Sequence, residues 1–440
     1  MTVNIIDFGA KNSGKLCTRE IQNAIDACFL AGGGEVVIPR GEYVVAGLRL
    51  RSNVTLHLLE DARLVGSIDP EDYFAYLDDE IEPISPEEMN MVTPTAMPDC
   101  NARSAKPYSR WNNAIIRAIN AENIAIIGEK GSTIDGRNCF DELGEEGYRG
   151  PHAINAWFCK NITLKGYTVK DSANWAHAIQ NSQGINMTDV TILGGHDGFD
   201  VRTCDDVTVE DCTFCTGDDC IAGFDNINVT VRRCSLESAC SIFRFGGRNV
   251  LVEDCHGGAS RSYGFRGSLT PDEKRARADT HEGCRHNCLT VFLSYSDTRA
   301  IIREKSGNTV FKNCEFKDPD TIVNVPYGHK WCCNGSLNDI TFEGCSFDGV
   351  INPSRPNGCP DEPLELTFRD CRISARIGHD TISVVEGENA KSITFENVTL
   401  ENYADPTVKC NFECEVTAVG GTDVKVINID RIEDKSQYGV

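Results

Sequence analysis

A chain of 440 residues exceeds what one compact core supports, so it is either several globular domains or one elongated repeat architecture. Its formal net charge of −23 argues against a nucleic-acid partner, which needs a basic footprint. With 40% hydrophobic and 25% charged residues, and no run near the roughly 18 apolar residues of a membrane span, it reads as neither disordered nor membrane-embedded.

The N-terminus, MTVNIIDFGAKNSGK, carries no basic segment followed by an apolar stretch and a small-residue cleavage site. A cytoplasmic location is therefore expected, or a secreted one if a leader has been removed. Next, TREIQNAIDACFLAG places Ile21, Ala24, Ile25 and Cys28 on one helical face behind a candidate N-cap, Thr18, and runs into Gly32 to Gly34. An open solenoid end exposes core and backbone, so this helix is expected to close it, in a cap of about residues 1–35. Two later stretches are charged and turn-rich, 68–110 (DPEDYFAYLDDEIEPISPEEMN) and 268–290 (SLTPDEKRARADTHEGCRHNC). Both are predicted to protrude as loops, of the kind that often wall a binding cleft.

Between these loops one pattern recurs: NITLKGYTV from 161, GINMTDVTI from 184, DVTVEDCTF from 206, NVTVRRCSL from 228, NVLVEDCHG from 249, and again from 308, 339, 364 and 392. Each alternates apolar with polar residues, is rich in β-branched types and is bounded by Gly, Asn or Asp, which predicts short strands. Val190, Cys212, Cys234 and Cys255 are spaced by 22, 22 and 21, a solenoid period. The fold class that follows is all-β: one right-handed parallel β-helix over 1–440, with an N-terminal capping helix. Stacked coils bring equivalent positions about 4.8 Å apart, so those four residues should form an internal ladder. The 22 cysteines then read as buried free thiols rather than disulfides. Zinc ligation is disfavoured, because Cys332 and Cys333 are adjacent while Cys212, Cys215 and Cys220 lack a matching second pair. No metal or other cofactor is expected.

Chemistry concentrates in GGHDGFDV at 194–201 and CTGDDCIA at 215–222. Asp197 lies seven residues after Val190 and Asp219 seven after Cys212, so the coil register stacks Asp197 on Asp219 with Asp218 beside them. Clustered carboxylates repel, which raises at least one pKa and leaves the others ionised. Acid/base glycoside hydrolysis requires that arrangement: a protonated carboxyl for the leaving oxygen and a carboxylate for water or carbon. The plainer alternative is that these are ordinary turn sequences, which a fixed period stacks regardless. Neighbouring residues of a strand point to opposite faces, so Asp218 and Asp219 converge only at a strand end or turn.

IIDFGA, EIQNAIDAC, GGGEVVIPRGEYVVAGLRLRSNVTLHLLEDARLVGS, HDGFDV and TGDDCIA together resemble glycoside hydrolase family 28, the polygalacturonases and rhamnogalacturonases, from about residue 3 to 270. The resemblance implies that Asp197 matches the aspartate of Asn-Thr-Asp-Gly, although Gly195-His196 precede it, and that Asp218 and Asp219 match Gly-Asp-Asp. It implies an inverting mechanism in which Asp218 protonates the leaving oxygen while Asp197 and Asp219 activate water. Two departures stand out. The family's Gly-His-Gly is replaced around Ser238-Ala239-Cys240-Ser241, and its Arg-Ile-Lys keeps Arg266 but continues with Gly267 and Ser268. Arg202, Arg244 and Arg261 are candidates to help Arg266 grip a carboxylate. His196, Trp175 and His177 are candidates to line the sugar site, with Tyr148, Arg149, His256 and Trp331 as weaker ones. The expected function is hydrolysis of pectin-like or related saccharides. The alternatives are a polysaccharide lyase or uronate epimerase, whose aspartates would hold calcium, and an inactive carbohydrate-binding β-helix. The only partner expected is the carbohydrate; the oligomeric state is open.

Overall fold

Alternation of apolar and polar residues folds as the repeat predicts, into short strands each paired in parallel with its equivalent one coil away. The structure, a computed structural model, describes residues 1–74, 110–296, 303–326, 337–411 and 413–430. Two compact units divide the chain, residues 1–218 with 262–285 and residues 219–261 with 286–440. Each is a length of right-handed parallel β-helix.

In the first unit, strand Gln183–Thr188 lies between Lys160–Lys165 and Asp205–Glu210, with Ile162, Ile185 and Val207 in one row and Leu164, Met187 and Val209 in the next. All six are buried. The offset between Ile185 and Val207 is the 22-residue period. Helix α1 (Thr18–Leu30) buries Ile21, Ala24, Ile25 and Cys28, the face read from the sequence. Its N-cap is Cys17, however, and the Thr18 hydroxyl instead accepts a hydrogen bond from the Ala46 backbone at 2.9 Å. Thr18 ties the cap to the coil beside it rather than satisfying its own helix.

The turns repeat as faithfully as the strands. Asn53, Asn123 and Asn161 occupy the left-handed region, with φ of 61°, 55° and 57°, a conformation that Asn tolerates better than branched residues. Their side-chain amides form a ladder, Asn161 donating to Asn123 and Asn123 to Asn53, each at 2.9 Å. In the second unit, Asn308, Asn249 and Asn228 make the same ladder at 2.9 and 3.0 Å.

Cysteines form the interior counterpart. In the first unit the register that pairs Thr191 with Thr213 sets Val190 beside Cys212. In the second, registers through Ser235, His256, Glu315, Ser346 and Arg372 align Cys234, Cys255, Cys314, Cys345 and Cys371. Each of these five thiols donates to the carbonyl two residues before it. Cys255, Cys314, Cys345 and Cys371 also reach a carbonyl of the preceding coil. All the described cysteines are free thiols, most of them buried. Burial pushes the Cys159 pKa up to about 11, so that thiol stays protonated at neutral pH and packs as a small apolar group. Cys332, Cys333 and Trp331 lie outside the described residues.

Of the loops expected to protrude, 75–109 lies outside the described residues. The other contains a one-turn helix, Pro271–Arg275, entered through a capping box in which Thr270 and Glu273 bond reciprocally. It ends earlier than the sequence reading placed it, because Cys288–Ser294 is already a strand of the second unit, paired with Ser241–Glu253.

Aromatic stacking runs through the second unit: Phe342 is buried against Phe311, Phe347 and Phe368, with centroids 4.9, 5.4 and 5.2 Å away. Phe342→Ala is expected to cost about 3–5 kcal/mol in urea unfolding, through lost burial and the cavity left behind. The exposed Ile377→Ala should change it by less than about 0.5 kcal/mol. Equal effects at the two positions would refute a stability carried by the stacked interior.

Candidate active site

In the first unit, strand Thr191–Gly194 pairs with Thr213–Thr216, Gly194 facing Thr216, and the Gly217 N–H donates to the Gly194 carbonyl at 2.8 Å. Gly195 to Asp197 and Gly217 to Asp218 therefore leave the sheet at the same level. Both glycines are there for close approach. A Cβ on Gly217 would lie 2.0 Å from the Gly264 carbonyl oxygen and 2.6 Å from that of Gly195, and one on Gly195 would lie 2.2 Å from Arg266 Cγ. The next strand begins only at Ile221. Asp218 and Asp219 thus sit at a strand end, the one setting in which neighbouring side chains are released from alternation.

Asp218 is held by Arg149, whose Nη2 lies 3.4 Å from Oδ2. That buried guanidinium also meets Glu146 at 3.2 Å and Glu145 at 4.0 Å. Asp197 is buried, and its backbone carbonyl accepts from the Ala176 N–H at 2.8 Å. Next to it, His196 is buried with both ring nitrogens unpartnered among the described residues, its ring 5.8 Å from that of Tyr148. Burial, followed by the positive charges of Arg149 and Arg266, pushes its pKa well down and keeps the ring neutral. Arg266 donates through Nη1 to the Ala278 carbonyl at 2.6 Å, while its buried Nε finds no partner among the described residues. Lys274, from the one-turn helix, places its Nζ 4.2 Å from the centre of the Tyr148 ring and 3.3 Å from the Gly267 carbonyl. Burial pulls its pKa down, and Arg266 and Arg149 add to the effect. Arg149, Arg266 and Lys274 thus make a cationic wall around a neutral histidine. Beside Glu145 and Glu146 opens a cavity of about 530 Å³, also lined by Arg110, Trp111 and Glu142.

In the second unit Asp219 is 2% exposed. Its Oδ1 accepts from the Ser241 N–H at 3.0 Å and its Oδ2 from Arg244 Nε at 2.6 Å. The Arg244 guanidinium lies over the Tyr295 ring at 4.4 Å. Arg244, read from the sequence as a substrate contact, is first of all the partner of Asp219. His256 and Arg261 line a different groove of the same unit, about 500 Å³, with His286, Glu237, Glu315 and Lys317.

Three other candidates are corrected. His177 is 0% exposed, bonded to the Tyr167 hydroxyl at 3.0 Å and packed edge-on to Phe199, and burial lowers its pKa to about 4. It is a core residue. Trp175 is 4% exposed, with Arg202 4.4 Å over its ring and Trp111 and His152 against its other sides, so its face is covered. Arg202 forms a two-point pair with buried Asp200, at 2.8 and 3.1 Å. Conversely, sequence reasoning gave Arg149 little weight and passed over Lys274. The Thr270-Pro-Asp-Glu273 capping signature was the available sign that the loop folds back as an ordered element.

Residues 95–261 match the model of glycosyl hydrolases family 28. That segment is similar to glycoside hydrolase family 28. It is 30% identical over 126 residues to a polygalacturonase of Saccharomyces cerevisiae, covering 26% of this chain and 35% of that one. It is 25% identical over 244 residues to a probable polygalacturonase of Vitis vinifera, covering 52% and 46%. These matches span about a third to a half of the relatives' lengths. Among solved structures, a family 28 exopolygalacturonase of Yersinia enterocolitica superposes with a TM-score of 0.66 at 19% identity, covering 96% of this chain and 79% of that one, which shows a shared fold.

A pair like Asp219 with Arg244 leaves an uncompensated charge when one partner is removed. Arg244→Met is expected to lower stability by about 3 kcal/mol in urea unfolding, and adding Asp219→Asn should cost less than the sum of the single changes. Strict additivity in that cycle would show that the two side chains do not interact in solution.

Proposed function

We propose that this chain is an inverting hydrolase of a uronate-containing, pectin-like saccharide. The observation that carries the reading is the cationic wall of Arg149, Arg266 and Lys274 around unpartnered His196, set where Asp218 leaves its strand. Buried donors without acceptors favour a ligand that supplies them, and an anionic sugar does so with charge. The lysine absent from position 268 has a counterpart in Lys274. The polygalacturonase names of the relatives point the same way.

In this mechanism Asp218 gives its proton to the glycosidic oxygen as the bond to the anomeric carbon breaks. Asp197 and Asp219 serve as the carboxylates that take a proton from the attacking water, whose oxygen bonds to that carbon from the opposite face. Asp219 suits the role because Arg244 and the Ser241 N–H both favour its ionised form. With no histidine in Ser238-Ala239-Cys240-Ser241, where the resemblance would place one, Arg244 is the support of this carboxylate.

The test is incubation with pectic, rhamnogalacturonan and neutral oligosaccharides. New reducing ends of inverted anomeric configuration are expected from the uronate-containing substrates, with kcat falling on the order of 10²–10⁴-fold in Asp218→Asn. An ultraviolet-absorbing, calcium-dependent product would indicate elimination instead. No product from any member of the panel, with or without calcium, would sink the hydrolase reading.

A further inference from the structure

Arg149 is engaged by more carboxylates than one guanidinium can hold equally. Asp218, Glu146 and Glu145 approach it at 3.4, 3.2 and 4.0 Å, and the side chains of Arg149, Asp218 and Glu145 are only 5%, 14% and 15% exposed. Screening by water is therefore weak, and the positive charge that one acid receives is withheld from the others. We infer that Arg149 and Glu145 are a coupled pair of positioning residues. Arg149 fixes the Asp218 carboxyl, and the ionisation of Glu145 sets how much of Arg149's charge Asp218 receives. This rests on the hydrolase reading, in which Asp218 is the proton donor.

The surroundings of Glu145 fit such a role. Asn174 Nδ2 donates to its Oε2 at 3.3 Å, which fixes its direction. The charged groups around it are Arg149 and, more distantly, Arg202, both favouring ionisation, and Glu146, opposing it. Glu142 and Arg110 line the same cavity, Arg110 being paired to Asp141 through 2.6 and 2.8 Å contacts. Burial outweighs the cations and pushes the Glu145 pKa up to about 7. Glu145 thus changes charge near neutrality, while Arg149 does not.

The signs follow from charge alone. Below about pH 7 Glu145 is neutral, and the charge of Arg149 acts undivided on Asp218 and Glu146. Above it, Glu145 is anionic, draws on Arg149 and adds a like charge near Asp218. Both changes help Asp218 keep the proton it must donate. Glu145 therefore extends the active range on the alkaline side, and Arg149 curtails it.

The experiment is kcat against pH for wild type, Glu145→Gln, Arg149→Met and Arg149→Lys, with thermal unfolding as the check on folding. Glu145→Gln should move the alkaline limb to lower pH and Arg149→Met to higher pH, each by about one pH unit. Arg149→Lys should return the limb most of the way to wild type. A residue that merely supports the fold would lower kcat at every pH without opposite displacements, and that result overturns the inference. Should wild type turn over no substrate, it is the hydrolase reading that has failed. The pair is then decided by the 13C shift of the Asp218 carboxyl titrated in the same proteins. Opposite midpoint shifts in Glu145→Gln and Arg149→Met support the coupling, and coincident midpoints overturn it.

Discussion

Everything in this molecule depends on parallel hydrogen bonding between coils in a fixed register. Neighbouring strands sit about 4.8 Å apart, so each side chain meets the residue one period away before it meets anything else. Residues that associate well with their own kind are favoured under that constraint. Phe342 on Phe368, Asn161 on Asn123 and Cys314 on Cys255 are three chemical answers to it: ring stacking, an amide that both donates and accepts, and a small polarizable thiol with a carbonyl to donate to.

Carboxylates are the exception, because an ionised acid stacked near another is repelled. Where the chain concentrates acids, it also supplies cations: Arg149 for Asp218, Arg244 for Asp219, Arg202 for Asp200 and Arg303 for Asp225. These arginines are part of the condition for having aspartates on successive coils at all. Their choice over lysine fits the geometry, since the planar fork reaches two acceptors at once, as Arg202 does on Asp200.

The parts governed by the register were legible in the sequence and the parts outside it were not. A spacing of 22 located the strands, the Val190–Cys212 neighbours and the shared level of Gly195 and Gly217, because each is a consequence of one repeated length. It did not tell which side chains of a coil face a ligand. His177 to Gln180 are buried at all four positions, so the alternation that normally separates inside from outside carries no information there. Trp175 and Arg202 fell on the expected coils yet became packing partners of each other. Arg149 and Lys274 come from segments between the coil strands, Arg149 after Phe140–Glu145 and Lys274 within Pro271–Arg275, whose placement no period dictates.

An arginine as the partner of Asp219 also shapes how that pair answers to pH. A histidine beside a catalytic carboxylate titrates within the working range of most enzymes, so its support varies with pH. Arg244 keeps its charge throughout, and with the Ser241 N–H it gives Asp219 a support that protons do not modulate. His196 does not restore that sensitivity, because burial among cations keeps its ring neutral. Glu145, which meets the arginine of Asp218, is different: burial brings its pKa to about 7. The same desolvation that makes a buried acid costly lets it answer to pH, and at Glu145 that answer reaches Asp218 through one guanidinium.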